Sequence, residues 1–196
     1  EEGGNDYAFF ITAHEVAHQW WAHQVIGADV LGATVLSERL SEYVSLKVIE
    51  KVNGKSKMRK FLKRSLDTYL TSRTFESKRE NALMYNDGQG YIRYQKGSLI
   101  FYALSDYIGE KKLNKALSKY VQKVAFQEPP YTTSIDLVNH VKEVTPDSLN
   151  YLIKDMFETI TLYQNRVIES TVSELKNGKY KVDIEFEVSK YRNNEK

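Results

Sequence analysis

Apolar residues recur at spacings of three and four from the first residues to about Tyr163, and beyond Arg166 they alternate with polar ones. The first spacing belongs to amphipathic helices and the second to half-buried strands, so the chain reads as mainly α with a β segment at its end. Asn5 or Asp6 is placed to cap a first helix running to about His23, and a second helix begins near Ser37 and stops at Asn53-Gly54. Met58, Phe61, Leu62, Leu66, Tyr69 and Leu70 form one helical stripe, and Leu113, Ala116, Leu117, Tyr120, Val121 and Val124 another; both are expected in the core. Ser98 to Ile108 reads as an apolar, buried helix. Ser134 to Val144 and Asp147 to Glu158, the latter with Pro146 at its start, complete the helical set. Phe75 to Gly90 is polar and reads as loop.

In the last part, Tyr180, Val182, Ile184, Phe186 and Val188 alternate with Lys181, Asp183, Glu185, Glu187 and Ser189, and Asn177-Gly178 separates them from Val167 to Leu175. That is the signature of a β-hairpin. A lone hairpin is marginally stable, and a polar tail, Arg192 to Lys196, follows it. The hairpin is therefore expected to open a truncated β-domain, residues 164–196, behind a helical part, residues 1–163, that holds the function.

Composition narrows the classes. Lys and Arg number 28 against 26 Asp and Glu, a formal charge of +2, which gives no polyelectrolyte attraction to nucleic acid. No apolar run approaches the ~18 to 20 residues that cross a bilayer, and neither a leader nor an initial Met is present, so a soluble piece excised from a longer protein is expected, without membrane contact of its own. There is no cysteine, which removes disulfides, thiolate zinc clusters and a cysteine nucleophile, and leaves the compartment open. Any metal has to sit on histidine and carboxylate.

Those residues are present in one pattern. His14-Glu15-Val16-Ala17-His18 lies within the first expected helix, where four residues advance slightly more than one turn. His14 and His18 then share a face and can meet one Zn²⁺ at ~2.0 to 2.1 Å. Glu15 projects to the side, where it can take a proton from a water at the metal. A third ligand has to come from elsewhere, and a catalytic site keeps a fourth position open. Ser37-Glu38-Arg39-Leu40-Ser41-Glu42 opens the second helix and offers Glu38 as that ligand; Glu42, four residues on, can accept the free N–H of a ligating histidine. The bland alternative makes both glutamates solvated surface charges. His23 lies about 140° around the helix from His18 and reads as exterior or packing, as does His140. Asp29 reaches the metal only if the connection folds back, and Trp20 and Trp21 are expected to hold the metal helix by packing.

HEVAHQWW, then LSERLSEY, then Tyr91-Ile92-Arg93-Tyr94-Gln95-Lys96-Gly97, resembles the catalytic region of the aminopeptidase N family of gluzincin zinc peptidases, over Tyr7 to about Phe157. The resemblance implies a thermolysin-like helical part, zinc as cofactor, peptides as substrates and release of N-terminal residues. It implies His14, His18 and Glu38 as ligands, Glu15 as general base and Tyr94 as the tyrosine that stabilises the oxyanion. The chain departs from the family in three ways. Residues 19–37 make a spacer one longer than usual, with the extra residue expected in Gly27 to Thr34; the Asn-Glu-Gly motif reads Ser37-Glu38-Arg39; and the Gly-x-Met-Glu-Asn motif that grips the substrate amine is absent. With half of the substrate cleft expected to be missing, the isolated piece is expected to be weakly active or inactive. The long-spacer wording is most similar to peptidase modules attached to bacterial transporter-type membrane proteins, which implies a membrane-anchored parent. The alternative function is a non-catalytic, zinc-stabilised binding module of such a protein.

Overall fold

The computed structural model describes residues 2–86 and 88–192, with side chains from residue 7 onward. It is mainly helical and ends in a two-stranded hairpin, as the hydrophobic pattern predicts. Helices α1 (Glu2–Ala17), α2 (Glu38–Asn53), α3 (Lys55–Phe75), α4 (Gly97–Ile108), α5 (Glu110–Val124), α6 (Ser134–Val144) and the short α7 (Asn150–Ile153) precede strands β1 (Thr161–Glu174) and β2 (Tyr180–Arg192).

Helix α2 is the central strut. It packs against α1, α3 and α4, and its residues Leu40 and Tyr43 enter a core completed by Phe101 and Leu104 of α4, Leu117 and Tyr120 of α5, Leu137 of α6 and Phe157. Phe101 and Phe157 meet edge to face with ring centroids 5.3 Å apart, an arrangement that aromatic quadrupoles favour. The α5 stripe is buried as its spacing requires, apart from the half-buried Val121. On α3 only Met58 is fully buried; Leu66 and Leu70 face solvent, so that stripe is core at one end and surface at the other. Helix α6 starts with a capping box, in which the Asp136 N–H donates to Thr133 Oγ1 at 3.3 Å and the Thr133 N–H donates to Asp136 Oδ2 at 2.8 Å.

Several elements differ from expectation. Helix α1 begins at Glu2, so Asn5 and Asp6 lie within it, and it ends at Ala17 rather than His23. The chain turns at Ala22, where φ is 117°, and is then fastened to the segment after α5 by Phe126 N–H to Gln24 O (2.7 Å) and Ala28 N–H to Thr132 O (2.8 Å). These distant contacts end the helix although the local sequence would extend it, and they separate the two tryptophans: Trp21 is buried and Trp20 is half exposed. The expected helix over Asp147 to Glu158 is broken into a 3₁₀ turn, α7 and a π turn, Lys154–Glu158. A second π turn, Ile92–Lys96, precedes α4. The polar stretch before it is irregular, as predicted, but it is not a solvent loop: Glu80, Leu83, Met84, Asn86 and Gln89 are buried.

The hairpin pairs Thr161↔Arg192 through Glu174↔Tyr180, with a bulge between Val167 and Glu169. Strand β1 begins earlier than the expected Val167. The polar tail beyond Arg192 lies outside the described residues. Among the described residues, no helix is long and apolar enough to cross a membrane.

Candidate metal centre

Three side chains converge at the α1–α2 contact. His14 is in the last turn of α1, His18 follows that helix by one residue, and Glu38 is the first residue of α2. His18 keeps its helical position because its N–H still donates to His14 O at 3.3 Å. The Nε2 atoms of His14 and His18 are 3.0 Å apart, and Glu38 Oε2 lies 3.3 Å from the first and 3.9 Å from the second. A tetrahedral zinc with bonds of ~2.0 to 2.2 Å needs donor separations of about 3.3 to 3.6 Å; one of the three separations lies in that interval and the other two fall about 0.3 Å to either side of it. The donor set, two imidazole nitrogens and one carboxylate oxygen, fits zinc with a position left for water.

The surroundings orient the His18 ring and disfavour the charged form of His14. The Trp21 carbonyl can only accept, so the 2.8 Å contact with His18 Nδ1 assigns a proton to that nitrogen and turns the Nε2 lone pair toward His14 and Glu38. Ser41 Oγ, 3.1 Å from the same Nδ1, lies near enough to share that proton. His14 is buried, and this, with His18 beside it, holds its pKa below the ordinary histidine value against the opposing pull of Glu38 and Glu15. Its Nδ1 is buried and faces Glu42 Oε1 at 3.8 Å. Glu42 is itself pushed up to about 8 by burial and by the neighbouring Glu38 carboxylate.

The remaining candidates fall on two sides of this cluster. Glu15 is exposed on α1, close enough to His14 to act on its charge. Tyr94 stands in the π turn Ile92–Lys96 with its ring 6.5 Å from that of His14, and it borders, with Glu42, Phe10, Ile11 and Phe61, a cavity of about 180 Å³. A larger groove of about 620 Å³ lies along Tyr43, Lys47 and Glu110, away from the donor atoms. Volume alone does not mark the reactive cleft. The exposed His23 ring meets the Gln19 amide at 3.4 Å, outside the cluster, and Asp29 is likewise exposed and outside it.

With this geometry in place, comparison with protein families is decisive: residues 4–159 match the family described as Peptidase family M1 domain. The chain belongs to peptidase family M1. Most of its length, and the whole of the His14–His18–Glu38 cluster, lies within the match. This M1 domain is a metallopeptidase domain, of a family whose members depend on metal, typically zinc. Comparison with curated proteins finds no match.

Sequence reasoning missed the residues that support the His14–His18–Glu38 cluster. Ser41 is three residues beyond Glu38 and shares its helix face, a spacing that points to it once Glu38 is placed. Arg39 is fully buried, and its Nη2 donates to Asn86 Oδ1 at 2.9 Å; Asn86 in turn donates to Gln89 Oε1 at 2.9 Å. Nothing in the local sequence announces that network.

Proposed function

We propose that this M1 domain hydrolyses peptides with zinc as its metal and releases N-terminal residues. The convergence of His14 Nε2, His18 Nε2 and Glu38 Oε2 within 4.8 Å of one another carries the reading. In it the helical part, residues 1–163, does the chemistry and residues 164–196 form a separate β unit. His14, His18 and Glu38 hold the ion, and zinc, when bound there, supplies a Lewis acid that polarises the scissile carbonyl and acidifies water.

The chain's own groups do the rest. Glu15, open to solvent, takes a proton from the attacking water and delivers it to the leaving amine. The Tyr94 hydroxyl donates a hydrogen bond to the carbonyl oxygen as negative charge builds on it. Glu42, facing His14 Nδ1, fixes the orientation of that ring. The amine of the cleaved peptide is read by groups the resemblance assigns to a motif this chain does not contain, so release of N-terminal residues rests on the family.

Glu15→Gln and His18→Ala test the roles. Glu15→Gln is expected to keep one zinc and lose hydrolysis by on the order of 100- to 10,000-fold, whereas His18→Ala loses both, as read by metal analysis and peptide turnover. Equal metal loss in the two removes Glu15 from its role. Equal cleavage of free and N-acetylated peptides removes the aminopeptidase part, and a zinc-loaded protein with its fourth position closed, seen by cobalt spectroscopy, favours a zinc-stabilised binding module instead.

A further inference from the structure

The segment between α3 and the π turn holds a carboxylate that the peptidase reading does not use. Glu80 is buried, only 7% exposed. Its Oε2 accepts hydrogen bonds from the Tyr69 hydroxyl and from Arg73 Nε, each at 3.0 Å, while its Oε1 pairs with the Lys96 ammonium. Burying a carboxylate is costly unless donors surround it, so these contacts select one arrangement of the segment. Tyr69 and Arg73 lie one turn apart on α3, which is packed on α2, so Glu80 is moored to a long helix.

Lys96 closes the π turn Ile92–Lys96, in which Tyr94 stands two residues earlier, and its ammonium also lies 5.6 Å from the centre of the Tyr69 ring. A π turn is a rare and less favourable backbone than an α turn, and it persists where the surroundings hold it. Here the holds are visible. Ser98 Oγ donates to the carbonyls of Tyr94 at 3.0 Å and Gln95 at 3.1 Å, Ile92 is sunk in the core, and Lys96 is tethered to Glu80.

We propose that Glu80 is a positioning residue for peptide hydrolysis: through Lys96 it fixes the turn that carries Tyr94, and so sets where the Tyr94 hydroxyl meets the developing oxyanion. The inference rests on the oxyanion role given to Tyr94 above. A displacement of about 1 Å at such a group can cost about 100-fold in rate, so the tether has room to matter.

Glu80→Gln and Lys96→Met, each alone and combined with Tyr94→Phe, test it in the zinc-loaded protein. Each single variant is expected to lower kcat about tenfold or more with KM nearly unchanged, to weaken binding of a phosphinic peptide that mimics the tetrahedral state by a similar factor, and to keep its zinc. In the Tyr94→Phe background the further loss is expected to fall below about twofold, because the hydroxyl being positioned is gone. A readout independent of metal comes from 3-fluorotyrosine labelling: the ¹⁹F resonance missing in Tyr94→Phe should move in both variants. The same fold-loss with and without the Tyr94 hydroxyl, or an unmoved resonance, overturns the tether. A Tyr94→Phe protein at full rate overturns the role of Tyr94 itself, a different failure. Should Glu80→Gln not fold, Lys96→Met, which leaves Glu80 with Tyr69 and Arg73, decides.

Discussion

Glu42 shows how one buried side chain links stability to pH. Its carboxyl is pushed up to about 8 by burial and by Glu38, so in metal-free protein it stays protonated at a pH where the unfolded chain, titrating near about 4.3, is ionised. The folded state then binds the extra proton, and stability falls as pH rises between the two values. His14 acts oppositely: its lowered pKa makes stability grow with pH, but that gain is complete above about 6.5. From about pH 6.5 to about 8 the Glu42 loss therefore governs this pair, and chelator-treated protein is expected to melt at lower temperature as pH climbs through that window. Glu42→Gln should flatten the decline and, by removing the carboxylate that faces His14 Nδ1, weaken zinc binding about 10- to 100-fold. An unchanged slope in the variant would show that another group controls it. At this scale the convergence of His14, His18 and Glu38 was legible, because HExxH and a carboxylate at a helix start are local patterns. Ser41 and the Trp21 carbonyl were not, since both reach His18 only after the chain has turned back.

Elements were legible where propensity and packing agree. Helices α2, α4 and α6 lie within a residue or two of expectation, each with an apolar face and a local stop or cap, and α5 contains the whole of its expected stripe. The misreadings have a common cause in distant contacts. Helix α1 stops at Ala17 because the following residues are fastened to the segment after α5, and the π turn at Ile92–Lys96 is held from α3 and its neighbouring loop. Close backbone approaches make such elements vulnerable. A Cβ on Gly97 would lie 2.5 Å from Cγ and Cδ of the buried Arg39, the neighbour of Glu38. Gly97→Ala is therefore expected to move Arg39, the first turn of α2 and the Tyr94 turn together, costing about 1 to 3 kcal/mol by overpacking and lowering zinc affinity with it. Gly32 has φ +88° and a Cβ there would come 1.9 Å from Met84 O, so Gly32→Ala should cost at least as much. Denaturant melts with parallel metal titration check both. A Gly97→Ala protein that is less stable but binds zinc normally would separate the α2 start from the Tyr94 turn.

At the scale of the molecule, the strands of the hairpin pair with each other outside the buried core on which His14, His18 and Glu38 are mounted. Val172, Val182, Ile184 and Phe186 line one face of it and each remains about half exposed, so the strands draw little stability from burial. Asp155, in the π turn Lys154–Glu158, ties β2 to the helical part: it accepts from Arg192 Nε at 2.6 Å and pairs with the Lys190 ammonium. Burial pushes its carboxyl up, but the hydrogen bonds from Arg192 and Lys190 outweigh this and hold it below the ordinary aspartate range. A depressed carboxylate contributes stability that is fully present above about pH 4 and is lost as pH falls through its folded value. Asp155→Asn should thus loosen the base of the hairpin by about 1 to 2 kcal/mol at neutral pH, the charged partners being partly solvated. That loss should shrink toward zero on acidification. Hydrogen exchange is expected to speed up at the Thr161↔Arg192 end of the ladder while amides of α2 and α4 and the zinc stoichiometry stay unchanged. Uniform acceleration across helices and strands would instead mean that the hairpin and the helical part unfold as one unit, and the division of the chain near Tyr163 would fall with it.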